Sequence, residues 1–364
     1  LSAGVLTSSG RYKFRYRREN ADGTTAYDTT AVRHNGDIWA VRLEGNLYGT
    51  VRQGSWSVKA YTYNSRRGIP GAIVSNVWRR GERQSDHNTF VQGMAQRSFG
   101  RRFSTKLLAK YAYYDTRYIN NDTTQRHVDN TFRQQEVYVS SANVLEILPQ
   151  WSVSASYDFR WNKLNADLPR FALPHRFSNS LSVATALDLG RLKAQASVMG
   201  FSAKDHTRSF QSVPAVTTLT PAFFVGWQPL PEPVLLLRAF AKRSYRMPTF
   251  NDLYYTDMGN ALLRPESAVQ YDGGFVAEKN FPGGLLSHSG RCLLQHRTQQ
   301  DCGLPQGTAV PLDHAKPRTG PHNGCGRTGR GHRLPRERAC RNRPSAIHLP
   351  ERHRRHLAAK LVLP

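Results

Sequence analysis

The chain has 364 residues, with 51 Lys and Arg against 26 Asp and Glu, a formal net charge of +25. No window approaches the roughly 18 uninterrupted apolar residues of a membrane helix, which excludes helical spanning but not a β-barrel, whose strands need only about 9–11 residues. The first residues, Leu-Ser-Ala, include neither an initiator Met nor a basic-then-apolar leader, so the sequence reads as a fragment.

From the N-terminus onward, apolar and polar residues alternate with period two, the pattern of a strand whose two faces meet different surroundings. Strands are expected over 9–19, 36–50, 54–64, 87–98, 102–115, 133–146, 150–163, 177–188, 191–203, 216–228, 233–246 and 266–279. In residues 151–161, WSVSASYDFRW, one parity holds Trp151, Val153, Ala155, Tyr157, Phe159 and Trp161, and the other Ser152, Ser154, Ser156, Asp158 and Arg160. The same division separates Trp39, Val41, Leu43 and Leu47 from Arg42, Glu44 and Asn46. Connections alternate between short, such as Arg52–Gln53 and Gly190, and long, at 20–35, 65–86, 116–132, 164–176, 204–215 and 247–265. Short turns at one edge and long loops at the other are the pattern of an outer-membrane barrel. Alternation alone would also suit a soluble sandwich, but strands there usually run about 5–6 residues, against about 11–15 here. Aromatic residues at strand ends, such as Trp151 and Trp161, match interfacial girdles. The expected fold is therefore all-β: a partial antiparallel transmembrane barrel of about 12 long strands.

The segment Tyr245–Phe275, YRMPTFNDLYYTDMGNALLRPESAVQYDGGF, resembles a stretch near the middle of the barrel in TonB-dependent outer-membrane receptors. There an R-x-P-x-x-x-(D/E)-L run leads into an extracellular loop, and N-x-x-L-x-P-E opens the next strand. The matching residues are Arg246, Pro248, Asp252, Leu253, Asn260, Leu263, Pro265 and Glu266. Further likenesses are SRRGIPGAI (65–73), RQQEVYVS (133–140) and RWNKLNADL (160–168). The resemblance implies a barrel of about 22 strands around an N-terminal plug. It implies import of a scarce chelate, such as an iron-siderophore, haem or cobalamin, across the outer membrane of a bacterial cell. The implied partners are outer-membrane lipid, lipopolysaccharide, the chelate or vitamin ligand and, through a plug this sequence lacks, the TonB complex. The alternative is a passive porin-type channel, separated from the first reading by whether a plug lies upstream.

Residues 285–364 follow different statistics. They hold fifteen Lys or Arg against four Asp or Glu, all four cysteines, eight of the thirteen histidines and none of the 38 aromatic residues. Composition describes a disordered basic extension. Read one base later, however, suitable codons for Cys292–His296, Gln306–Arg318 and Ile347–His353 yield AYYN, KGQQFRWTMLNLG and YTYQSVT, aromatic strings like later strands of the family barrel. The expected domains are a partial barrel over 1–284 and, over 285–364, an unstructured tail translated out of frame after a change near Ser287–Gly290. The cysteines lack C-x-x-C spacing, so neither a metal site nor a cofactor is expected. RERACRNR (336–343) lacks an aromatic stacking partner, and no nucleic-acid partner is expected.

No catalytic constellation stands out, so binding and passage are expected, with no enzyme activity. Ligand contacts are expected from two long loops. One offers Arg66, Arg67, Arg79 and Arg80, suited to an anionic chelate; the other offers Phe250, Asn251, Asp252, Tyr254 and Tyr255, a mixed aromatic and polar surface. The blander alternative has these residues satisfying loop backbone or touching lipopolysaccharide. Arg42, Glu44, Lys106 and Lys110 are expected inside the barrel, in a charge network that holds the plug.

Overall fold

The computed structural model describes residues 1–20, 22–71, 81–121, 127–209, 212–230, 234–254, 263–281, 284–305 and 312–333, without the side chains of 280–286 or of residues past 296. The strands are β1 (Ser2–Ser8), β2 (Lys13–Glu19), β3 (Thr25–Val32), β4 (Ile38–Val51), β5 (Gly54–Gly68), β6 (Arg83–Phe99), β7 (Phe103–Asn120) and β8 (Val128–Leu148). They continue with β9 (Trp151–Ala166), β10 (His175–Asp188), β11 (Leu192–His206), β12 (Val216–Leu230), β13 (Val234–Arg246), β14 (Glu266–Phe281), β15 (Gly284–Pro305) and β16 (Leu312–Arg333). One short helix, α1 (Phe250–Tyr254), follows β13. Fourteen strands form one antiparallel sheet in the order β1, β4 and then β5 to β16, each beside its chain neighbour.

Two expectations at the N-terminus change. The strand foreseen at 9–19 pairs with β3, inside the span read as a loop, and this two-stranded hairpin stands apart from the main sheet. Its place beside β4 is taken by β1, which the alternation did not reveal. The hairpin neck closes where Gly10, at φ 56°, meets Gly36: a Cβ on Gly10 would lie 1.9 Å from the Gly36 carbonyl oxygen. Elsewhere the strands outrun their expected ends. Arg66 and Arg67 lie on β5, not in the loop that follows it, because polar residues go on pairing across strands after the apolar alternation stops. The short turns fall where expected, with Gln53, Gly100 and Gly190 at positive φ. Past residue 284 the backbone continues as β15 and β16. Pro317 and Pro321 lie in β16, an edge strand where a missing ladder donor is tolerated.

The sheet register sorts every side chain onto one of two faces. One cross-strand row runs Leu47, Val58, Gly93, Ala109, Val139, Phe159, Asn179 and Ser202; the opposite face carries Asn46, Lys59, Gln92, Lys110, Tyr138, Arg160, Ser178 and Ala203. On the first face no charged residue occurs between Leu43 and Val51, Phe103 and Tyr113, Trp151 and Trp161, Phe177 and Leu187, or Leu192 and Ser202. Its large apolar residues are nonetheless exposed, among them Leu47 at 68% and Leu181 at 57%. Polar atoms on this face find each other: Trp151 Nε1 donates to Thr185 Oγ1 at 2.8 Å, and Tyr157 Oη to Asn179 Oδ1 at 2.7 Å. Buried strand side chains such as Ala40, Ala112, Leu164, Arg176, Asp205 and Asp272 lie instead on the charged face. A soluble protein hides its apolar face and wets its polar one. This sheet does the reverse, as a barrel wall in lipid must.

Candidate functional site

The charged face forms the lumen. Glu44 pairs with Lys59 at 3.0 Å and accepts from Asn46 at 2.9 Å. Three strands on, Lys110 meets Glu136 at 3.1 Å, Asn162 Nδ2 donates to the other Glu136 oxygen at 3.1 Å, and the Lys110 ammonium lies over the Phe90 ring. Tyr138 donates to Asp158 at 2.5 Å, and the Arg160 guanidinium covers the Tyr138 ring. Farther along, Arg291 pairs with Asp272. Of the four residues expected inside, Glu44 and Lys110 join these pairs. The pairs also use Lys59 and Glu136, which the sequence analysis did not single out, and Asp158, which the alternation over residues 151–161 places on the polar face without revealing its partner. Cross-strand register supplies that information. At the short-turn end a cleft of about 800 Å³ opens on this face, bordered by Glu146, Asp188, Lys193, Arg238 and Asp272.

At the long-loop end the lumen wall is tied down by one buried knot. Arg176 on β10 grips Asp205 on β11 through both guanidinium edges, Nε to Oδ1 at 2.5 Å and Nη2 to Oδ2 at 2.7 Å. Its Nη1 donates to the Pro248 carbonyl at 2.8 Å, and the Phe250 ring covers it at 5.0 Å. Tyr254 Oη donates to Asp205 Oδ2 at 2.9 Å and accepts from the Val213 amide at 3.4 Å. Burial, followed by the Asp205 charge, holds the Tyr254 phenol well above its ordinary pKa, so it stays a donor. Beneath it Ala172, Val213, Leu253 and Leu263 complete a small dry core that joins three long loops. α1 starts with a reciprocal cap: Asp252 Oδ2 accepts from the Thr249 amide at 2.8 Å, and Thr249 Oγ1 from the Asp252 amide at 3.3 Å.

These contacts account for the R-x-P-x-x-x-D-L run residue by residue. Pro248 supplies a carbonyl, Asp252 caps the helix, Leu253 fills the core at 2% exposure, and Arg246 lies 3.8 Å from Glu266 on the next strand.

The residues expected to contact ligand fall into separate environments. Arg67 faces the lumen, 3.6 Å from Asp86, whereas Arg66 shares the outer face with Trp39 and Arg117. Phe250, Asp252 and Tyr254 serve the knot, and Asn251 is exposed beside it. Arg79, Arg80 and Tyr255 lie outside the described residues. Among the described residues no group of three or more His, Cys, Asp or Glu is placed to hold a metal ion.

No curated protein matches the sequence. Several solved structures match the fold. The FrpB iron transporter from Neisseria meningitidis (F3-3 variant) aligns with a TM-score of 0.62 and 11% identity over 89% of this chain and 54% of its own. The copper transporter OprC aligns at 0.60 and 11% over 81% and 53%, and the ferric citrate transporter FecA at 0.57 and 12% over 84% and 52%. The chain thus spans about half the length of the structures it resembles. The model of the TonB dependent receptor-like β-barrel family matches residues 2–290, and with its apolar outer face and charged lumen this chain belongs to that family of receptors and transporters.

Proposed function

We infer that the chain is the barrel part of a TonB-dependent receptor that imports a scarce chelate, such as an iron-siderophore, haem or cobalamin, through the bacterial outer membrane. The observation that carries this reading is the inverted sheet over the residues that match the family: a charge-free outer band backing onto a lumen of ion pairs. The polar lumen supplies binding and passage, and no bond chemistry is assigned to it. Lumen-facing Arg67 and exposed Asn251 are the better placed of the described candidates for ligand contact, with Arg79, Arg80 and Tyr255 completing the two loops. Arg66 faces away from the lumen. Phe250, Asp252 and Tyr254 hold the wall in shape.

We also assign residues 1–284 to the barrel and the tail to a shifted reading frame. The family match stops at residue 290, beside the expected change at Ser287–Gly290 and at the onset of the aromatic-free composition. The nucleotide sequence around codons 280–295 tests this: one added or lost base must restore an aromatic, alternating continuation.

Uptake of labelled ferric chelates by cells carrying the full-length, frame-restored gene tests the transport reading. Uptake that disappears when TonB is deleted is the expected result. Uptake of small solutes regardless of TonB would establish the porin alternative in its place.

A further inference from the structure

The lumen wall changes character at β13. Between β4 and β11 several of its cations are held by carboxylates: Lys59 by Glu44 at 3.0 Å, Lys110 by Glu136 at 3.1 Å, Lys193 by Asp188 at 3.0 Å and Arg176 by Asp205. β13 turns Arg238, Phe240, Lys242, Ser244 and Arg246 to the lumen, in that order from the short-turn end to the long-loop end. Among the described residues neither Arg238 nor Lys242 forms an ion pair. Arg246 reaches Glu266 only at 3.8 Å, and Asp272, opposite Phe240, is engaged by Arg291.

The flanking strands leave these cations room. Arg238 lies between Gly226 on β12 and Gly274 on β14, two positions without side chains, and borders the lumen cleft of about 800 Å³. That volume suits a small-molecule ligand. Lys242 lies between Ala222 and Gln270, with its ammonium 5.5 Å from the centre of the Phe240 ring. Phe240 packs on Phe224 of β12 with ring centres 5.6 Å apart, so an aromatic pair separates the two cations. Successive cations are four residues apart on the strand, a step of about 13 Å.

We propose that the lumen face of β13, with Phe224 beside it, is the track along which an anionic chelate bearing aromatic rings passes through the barrel. Each cation attracts the anion, and the Phe224–Phe240 pair offers its rings a stacking surface. None of these side chains has the buried, two-edged grip of Arg176 on Asp205. A row of several weak sites suits passage, because a ligand must leave each site as readily as it enters. The inference rests on the chelate-import reading and narrows it to anions that carry rings.

The test titrates the full chain, refolded in neutral detergent micelles, with a ferric tricatecholate, with ferric citrate as an anion without rings, and with a cationic ferric trihydroxamate. The tricatecholate binds tightest, and the cationic chelate about tenfold more weakly. R238Q/K242Q lowers tricatecholate affinity about tenfold, whereas R101Q/R102Q, which removes equal charge at a short turn, leaves it unchanged. Equal affinity for the tricatecholate and either of the other chelates, or wild-type affinity in R238Q/K242Q, overturns the proposal. The unmodified chain alone decides the first of these outcomes, so the result does not depend on a variant folding. A second measurement separates passage from retention of a plug: in cells carrying the full-length, frame-restored gene, K242Q leaves entry of a small uncharged antibiotic at the wild-type level. Increased entry would assign Lys242 to holding a plug and overturn the track. Neither measurement reads TonB-dependent uptake, so failure here is distinct from failure of the transport reading.

Discussion

The Arg–Asp pair appears at two places on the same rim in opposite settings. At β10 and β11, Arg176 and Asp205 keep 10% and 0% of their side-chain exposure; at β7 and β8, Arg117 and Asp129 keep 53% and 36%. Both pairs are close and bidentate. The buried pair gains full Coulomb attraction and carries a full desolvation cost, so its value lies in geometry: it accepts only one arrangement of the loops around it. The exposed pair competes with water and salt and contributes little to stability. Identical chemistry therefore serves as a structural knot in one region and as a hydrated surface pair in the other.

The greatest loss is expected from Asp205→Ala, which strands the Arg176 charge in a dry site at a cost of about 3–5 kcal/mol. Urea unfolding of the refolded chain, with hydrogen exchange around Val213 and Tyr254, should show the loops loosening first; wild-type protection there would contradict the knot. Tyr254→Phe removes the hydroxyl shared by Asp205 and the Val213 amide and should cost about 1–2 kcal/mol in the same assay.

The smallest effect belongs to the exposed pair. Asp129→Ala should leave the midpoint where it is, and a clear drop would show that the two regions differ less than their exposures suggest.

Much of the wall was legible in the sequence. Trp151–Trp161 and its relatives show both faces because one strand meets lipid on one side and water on the other, and this contrast repeats every second residue. The R-x-P-x-x-x-D-L run was legible as a likeness, but the roles of Pro248 and Leu253 were not, because they act on partners brought in from β10 and the loops beside β10 and β11. Arg66 and Arg67 show the same limit. Adjacent in sequence and alike in chemistry, they looked like one cationic loop, yet continued pairing with β4 and β6 sends one outward and the other into the lumen.

The sequence by itself determined that these strands separate an apolar surface from a charged one, since alternation is a local property written within each strand. Tertiary structure alone decided which charges meet, because Arg176 and Asp205, like Lys110 and Glu136, lie 29 and 26 residues apart and become neighbours only through strand register. It also decided that Tyr254 is buried, since a side chain's solvent is set by what packs over it and not by its own neighbours in the chain.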